Sequence, residues 1–155
     1  GNYRSVNSEA MSQGTRCRQL AQYVIFDSPL NMLCDSPSNY MKEKECTEFI
    51  AAVPETWDET CGLDGKVGEY IAMARRKGSD WYVGAMTDWN AREMTLDLSF
   101  LPEGSHEVVL YRDGINADRA ACDYKKETVE LPADRKLVVR MAPGGGFAAK
   151  ITISE

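Results

Sequence analysis

Residues 53–89 read VPETWDETCGLDGKVGEYIAMARRKGSDWYVGAMTDW, and within this stretch a helical spacing of apolar residues gives way to the two-residue period of strands. From Trp57 onward the pattern alternates. Gly68 to Arg76 and Trp81 to Thr87 read as two strands joined by Lys77-Gly78-Ser79-Asp80, a four-residue hairpin loop. Downstream, Met94, Leu96, Leu98 and Phe100 alternate with Glu93, Thr95, Asp97 and Ser99, which predicts a half-buried strand with one wet face. Further strand-like runs cover Val108 to Tyr111, Thr128 to Leu131, Leu137 to Met141 and Phe147 to Ile153, with turn-rich segments between them. Seven or so short strands with regular turns predict an antiparallel β-sandwich, so the fold class is mainly β.

Upstream of the stretch the sequence is helical. Cys17, Leu20, Ala21, Val24, Leu30 and Leu33 recur at the spacing of one buried stripe. Pro29 lacks an amide hydrogen and crowds the preceding turn, so a kink or a break is expected near Asp27 and Ser28, giving two pieces or one bent helix. After Ser36 and Pro37, a cap and a first-turn proline, a second helical pattern runs through Tyr40, Glu43, Cys46, Phe49, Ile50 and Val53, and Pro54 closes it. Two or three helices therefore precede the strands. A lone helix pair buries too little surface to be stable, so Leu20, Val24, Phe26, Phe49 and Ile50 need a covering partner.

Composition narrows the function. The 155 residues carry 43% hydrophobic side chains, enough for a core, and the charge of -6 comes from 24 acidic and 18 basic residues without long single-sign runs. That balance argues against nucleic acid or an anionic membrane as partner. No apolar run reaches the roughly 18 residues of a membrane span. The polar start NYRSVNSEAM looks like the middle of a longer chain. Cys17, Cys34, Cys46, Cys61 and Cys122 are odd in number and form no CxxC, so they read as buried free thiols, with one disulfide left open because pairing is not legible in sequence. His106 falls in a turn-rich segment and reads as a surface residue.

Several blocks resemble one enzyme family. Val53-Pro54-x-Thr56-Trp57-Asp58-Glu59-Thr60, Leu63-Asp64-Gly65-Lys66-x-Gly68-Glu69-Tyr70-Ile71, Ala74-Arg75-Arg76-Lys77-Gly78, Trp81-Tyr82-Val83-Gly84, Thr87-Asp88-Trp89 and Met141-Ala142-Pro143-Gly144-Gly145-Gly146 are similar to the C-terminal part of glycoside hydrolase family 97. Gly14-Thr15-Arg16-Cys17-x-Gln19-Leu20-Ala21, Ser28-Pro29-Leu30 and Cys34-Asp35-Ser36-Pro37 resemble the last helices of that family's (β/α)8 barrel. The similarity spans the chain after about Met11, with Arg18 outside the shared pattern. The resemblance implies an exo-acting α-glycosidase, either an inverting α-glucosidase with calcium in its active site or a retaining α-galactosidase. It places residues 1–56 as the end of the catalytic barrel and 57–155 as a C-terminal β-sandwich. It further implies a catalytic barrel and an N-terminal β-sandwich as partners, a periplasmic or secreted parent, and catalytic carboxylates upstream of this chain. A barrel cut away predicts self-association through the helices, or their re-packing on the sandwich.

Two local features invite sharper readings. Glycoside hydrolysis needs two carboxyls about 5 to 9.5 Å apart across a sugar, and Asp58 and Glu59 are the tempting pair. Neighbours on an extended strand point to opposite faces, which favours a role in anchoring sandwich to barrel over catalysis. Trp57, Trp81, Tyr82 and Trp89 lie within 33 positions, and flat aromatic faces on a sandwich can stack on sugars, so Trp57, Tyr82 and Trp89 are candidate substrate-binding residues. One of Trp81 and Tyr82 belongs to the core and the other to the surface or an interface. Asp113 to Asp118 lacks calcium-loop spacing and reads as a turn, and Gly144-Gly145-Gly146 reads as a flexible connection.

Overall fold

The computed structural model describes residues 14–26, 44–117, 119–120 and 122–154. Among the described residues two helices, α1 (Arg16–Ile25) and α2 (Lys44–Ala52), precede eight strands: β1 (Glu59–Lys66), β2 (Tyr70–Lys77), β3 (Asp80–Thr87), β4 (Arg92–Asp97), β5 (Ser105–Asp113), β6 (Tyr124–Glu130), β7 (Lys136–Met141) and β8 (Gly146–Ser154). A six-stranded sheet in the order β1-β2-β3-β8-β5-β6 faces a two-stranded sheet of β4 and β7, and every pairing is antiparallel. The chain is a mainly β sandwich with helices on the outer face of its larger sheet.

The core lies between the sheets and follows from alternation. Met94 and Leu96 on β4 and Leu137, Val139 and Met141 on β7 point inward, while Glu93, Thr95, Asp97, Lys136, Val138 and Arg140 face water. Opposite them stand Trp81, Val83 and Ala85 of β3 and Phe147, Ala149 and Ile151 of β8. β4 ends at Asp97, earlier than the alternation suggests. The chain turns there, Leu98 stays buried, and Phe100 packs edge-on against Trp81 at 4.9 Å.

Three local readings are corrected. The β2–β3 hairpin is tighter than four residues, because Lys77 pairs with Asp80 and only Gly78, at φ +62°, and Ser79 form the turn. β1 is an eighth strand that alternation did not reveal. Its sequence ETCGLDGK is poor in strand formers, but as an edge strand it pairs on one side only, and its register shifts between Gly62 and Asp64. His106 is not on the surface: it is 1% exposed, because β5 begins at Ser105 and puts His106 in phase with the inward Val108 and Leu110.

α1 ends at Ile25 with Phe26 extended, ahead of Pro29, which itself lies outside the described residues together with Leu30, Leu33, Ser36, Pro37, Tyr40 and Glu43. Thr15 caps the start of α1 through its hydroxyl, which accepts the Arg18 amide at 3.2 Å. Cys17 and Cys46 are buried thiols in no disulfide, as expected, whereas Cys61 is half-buried and Cys122 exposed, both also outside any disulfide; Cys34 lies outside the described residues.

Burial of His106, then the nearby Arg135 charge, lowers its pKa, while the Pro102 and Gly104 carbonyls act in the opposite sense. A histidine that is harder to protonate when folded binds fewer protons than in the unfolded chain. Stability contributed by its neutral form is therefore lost as pH falls below about 6.5 toward the folded value. Urea midpoints measured from pH 7 to pH 5 should fall, and His106→Gln should flatten that part of the profile.

Candidate functional site

The outer face of the six-stranded sheet is the most elaborated surface of the molecule. The side chains that β2, β3, β8 and β5 turn away from the sandwich core are Ile71, Met73, Tyr82, Gly84, Met86, Ala148, Val109 and Tyr111, and both helices pack on them. Small residues set the position of α1. A Cβ on Gly84 would meet the Ala21 carbonyl oxygen at 2.9 Å and Val24 Cβ at 3.0 Å, so the helix backbone rests on the strand backbone. Ala148 on the neighbouring strand is fully buried in the same trough. Leu20, Val24 and Phe49, which the sequence left in need of cover, are buried here, whereas Phe26 remains 44% exposed.

Tyrosine hydroxyls hold α2. Tyr82 donates to the Ala52 carbonyl at 3.1 Å, Tyr111 to the Glu45 carbonyl at 3.1 Å, and Tyr124 to the Glu45 carboxylate at 2.9 Å. The Ala52 bond satisfies one of the carbonyls that a helix C-terminus leaves without a partner. Phe49 sits edge-on to both Tyr82 and Tyr111, at 6.5 and 5.2 Å. Burial, chiefly, pushes the Tyr111 hydroxyl up to about 12 and raises Tyr82 as well, so both stay protonated donors.

The start of α1 is fixed by a buried carboxylate. Asp113 at the end of β5 is 7% exposed, and its Oδ2 accepts the Ala142 and Gly146 amides at 2.9 and 3.1 Å. The triple glycine is thereby a packed junction. Gly144 lies under Trp89, Gly145 against Asp113 and Gly146 against the Arg18 backbone, where a Cβ would come within 2.4, 2.1 and 2.4 Å of those residues. Thr15 donates its amide to the Gly144 carbonyl at 3.1 Å, and the Arg18 guanidinium reaches the Thr87 carbonyl. Burial raises the Asp113 pKa, against the lowering effect of the Thr15 side chain and the two amides, and burial followed by the Asp113 charge drives the Cys17 thiol well up.

The structure places the candidate site residues as follows. Asp58 accepts the Gly78 amide at 2.8 Å and lies 3.8 and 3.9 Å from Arg76 and Lys77, and the Gly78 bond leads in lowering its pKa. Glu59 pairs with Arg76 at 3.2 Å. Both carboxylates thus bind the β2–β3 hairpin on the exposed rim of the sheet. Trp57 packs edge-on to Tyr82 at 5.4 Å with the Arg75 guanidinium 5.7 Å from its ring, and Tyr82 is 3% exposed. Trp81 belongs to the sandwich core and Tyr82 to the helix side, the division that opposite strand faces require. Trp89 stands apart at 58% exposure over Gly144. Asp113, the residue that organises the junction, had no distinctive motif; the segment from Asp113 to Asp118 pointed to it only as part of a turn.

Three outcomes test this arrangement. Gly84→Ala should cost about 1–3 kcal/mol by forcing α1 off the sheet, read as a lower thermal midpoint with the strand signal kept. For Asp113, a raised carboxyl pKa means that the folded chain holds the proton more tightly than the unfolded one. Stability then falls as pH rises from about 4 to the folded value, and Asp113→Asn should flatten that decline in a denaturant titration. Asp113→Ala strands two amides and should cost about 1–3 kcal/mol at any pH.

Comparison with known proteins gives this architecture its family. A family profile described as "Glycosyl-hydrolase 97 C-terminal, oligomerisation" matches residues 56–152. The chain is 61% identical over 151 residues to a retaining alpha-galactosidase of Bacteroides thetaiotaomicron, covering 97% of this chain and 23% of that protein. It is 28% identical over 131 residues to a probable retaining alpha-galactosidase of Streptomyces bingchenggensis, covering 84% of this chain and 20% of that one. A glycoside hydrolase family 97 enzyme from Pseudoalteromonas, solved in complex with acarbose, superposes with a TM-score of 0.82 at 36% identity over 92% of this chain and 23% of that one. The chain therefore spans less than a quarter of the length of these relatives. With its sandwich, its helix-covered sheet and the profile match across most of its strands, the chain belongs to glycoside hydrolase family 97 as that family's C-terminal domain.

Proposed function

We propose that this chain is the non-catalytic C-terminal part of an exo-α-glycosidase, and that its work is to brace the catalytic barrel. Residues 1–56 would complete that barrel and 57–155 would form the accessory sandwich. The observation that carries the reading is 61% identity to a stretch amounting to 23% of a retaining alpha-galactosidase. That relative favours α-galactosides over α-glucosides as the parent's substrate. The accessory role agrees with the chemistry at hand, because Asp58 and Glu59 are each engaged with cations on the neighbouring hairpin.

The remaining expectations belong to the parent. Calcium would sit in the catalytic part; among the described residues no group of three or more His, Cys, Asp or Glu side chains gathers to hold a metal. A periplasmic or secreted location rests on family resemblance. Oligosaccharide would reach the protein through the barrel, since the Trp57 and Tyr82 rings are spent on each other. The 155-residue chain should release no p-nitrophenol from an aryl α-galactoside, while the full-length enzyme should. Glu59→Gln in the full-length enzyme should leave turnover within about twofold, and its abolition would assign Glu59 to catalysis instead.

A further inference from the structure

The chain contains Asp-Gly twice, at Asp64-Gly65 and Asp113-Gly114, and the fold treats the two pairs in opposite ways. In this dipeptide an aspartyl side chain readily meets the next amide nitrogen, because glycine puts no Cβ in the way and lets the backbone turn. At Asp113 that meeting is blocked. Its carboxyl is 7% exposed, and Oδ2 accepts the Ala142 and Gly146 amides at 2.9 and 3.1 Å. The Gly114 amide donates to the Asp123 carbonyl at 2.9 Å, and β5 is paired on both sides, with β6 and β8.

Asp64 is the reverse case. It and Gly65 are exposed on β1, the outer strand of the sheet, whose backbone pairs with β2 alone. The Gly65 amide donates to Asp64 Oδ1 at 2.8 Å, and that oxygen is bonded to the carbon the nitrogen would attack. Ring closure requires Asp64 to leave extended backbone, which means opening the strand locally. The opening is small. The register already shifts between Gly62 and Asp64, so only the pairs of Asp64 with Ala72, Gly65 with Ile71 and Lys66 with Tyr70 lie between that bulge and the turn. The exposed Lys66–Glu69 bridge at 2.9 Å adds little resistance.

We propose that Asp64-Gly65 is a site of spontaneous isoaspartate formation in the folded protein. The Gly65 nitrogen adds to the carboxyl carbon of Asp64 in its acid form. The amide hydrogen and the carboxyl hydroxyl leave together as one water, which closes a succinimide ring. Water then adds back to either ring carbonyl: opening at the former main-chain carbonyl routes the chain through Asp64 Cβ and Cγ, and opening at the other restores aspartate. No oxidant or reductant takes part, and the net composition is unchanged. The product inserts a methylene into the main chain and leaves a carboxylate on Cα. Beyond Asp64 the pairs of Gly65 and Lys66 lose register, and the turn that walls the cleft beside Tyr70 and Met86 moves with them. Glu59 to Gly62, on the far side of the bulge, keep their partners, so the join between Glu59 and Arg76 is spared. None of this depends on what the parent enzyme acts on.

Ageing the folded full-length enzyme and digesting it with trypsin tests the site, since peptide 45–66 carries Asp64 and peptide 113–119 carries Asp113 as the internal reference. Peptide 45–66 should split into a second chromatographic form of unchanged mass that accepts a methyl group from an isoaspartyl methyltransferase, and peptide 113–119 should not. In denaturant both should convert at similar rates. Gly65→Ala should slow the conversion severalfold with the fold intact, because Gly65 has no positive φ and an added Cβ would come no nearer than 3.7 Å, to the Tyr70 carbonyl oxygen. A peptide 45–66 that stays unchanged in the folded enzyme while the denatured enzyme converts would overturn the proposal. Asp113 converting as fast as Asp64 in the folded enzyme, or a rate indifferent to Gly65→Ala, would overturn it too.

Discussion

Strands β3 and β8 are buried on both faces, and that condition governs the rest of the molecule. A sandwich strand usually presents one face to water, and β4 and β7 do so. On β3, Tyr82, Gly84 and Met86 would face water if α1 and α2 were absent, and on β8 Ala148 would. The helices are therefore a third layer of one packed body. Because Gly84 and Ala148 are small, the layer closes by backbone approach more than by interlocking side chains, and its geometry is set within tenths of an ångström.

Close approach of this kind requires that the ends of the helices be satisfied by the sheet. At the end of α2 the Tyr82 hydroxyl donates to the Ala52 carbonyl, and at the start of α1 the Gly144 carbonyl accepts the Thr15 amide. The same loop needs an acceptor for its own amides, which Asp113 provides from the end of β5. A buried carboxylate is costly alone, and here burial outweighs the bonds that favour its charge. Its role is set by position: one oxygen joins strand β5, the glycine loop and, through that loop, the helix cap.

Sequence pattern revealed what depends on one strand and its solvent. Met94 to Leu98 and Leu137 to Met141 alternate because one face is wet, and both strands were legible for that reason. Features that depend on a distant partner were not. Edge strand β1 is held by its pairing with β2 and not by propensity, and His106 is buried because β5 begins at Ser105, three residues before the run read from Val108. Gly144 to Gly146 looks flexible in isolation, yet Trp89, Asp113 and Arg18 come from 55, 32 and 128 residues upstream of Gly144, Gly145 and Gly146 respectively to occupy the space a side chain would fill. Kinship, by contrast, was fully legible, because many short blocks are retained together.

The same separation explains why an aromatic-rich, carboxylate-bearing strip can identify a glycosidase without performing its chemistry. A hydrolytic pair must keep one carboxyl protonated near neutrality and both free to face a sugar. Asp58 has the opposite environment, an amide and two cations that favour its charged form, and Glu59 is turned to Arg76. Trp57 is likewise turned inward, its ring against Tyr82 and under Arg75. Each of these residues ties the segment leaving α2 to the β2–β3 hairpin, so the strip fastens the helical layer to the sheet at the point where one becomes the other. A change at Trp57 or Asp58 would loosen the join between helices and sandwich, and with it whatever the helices support.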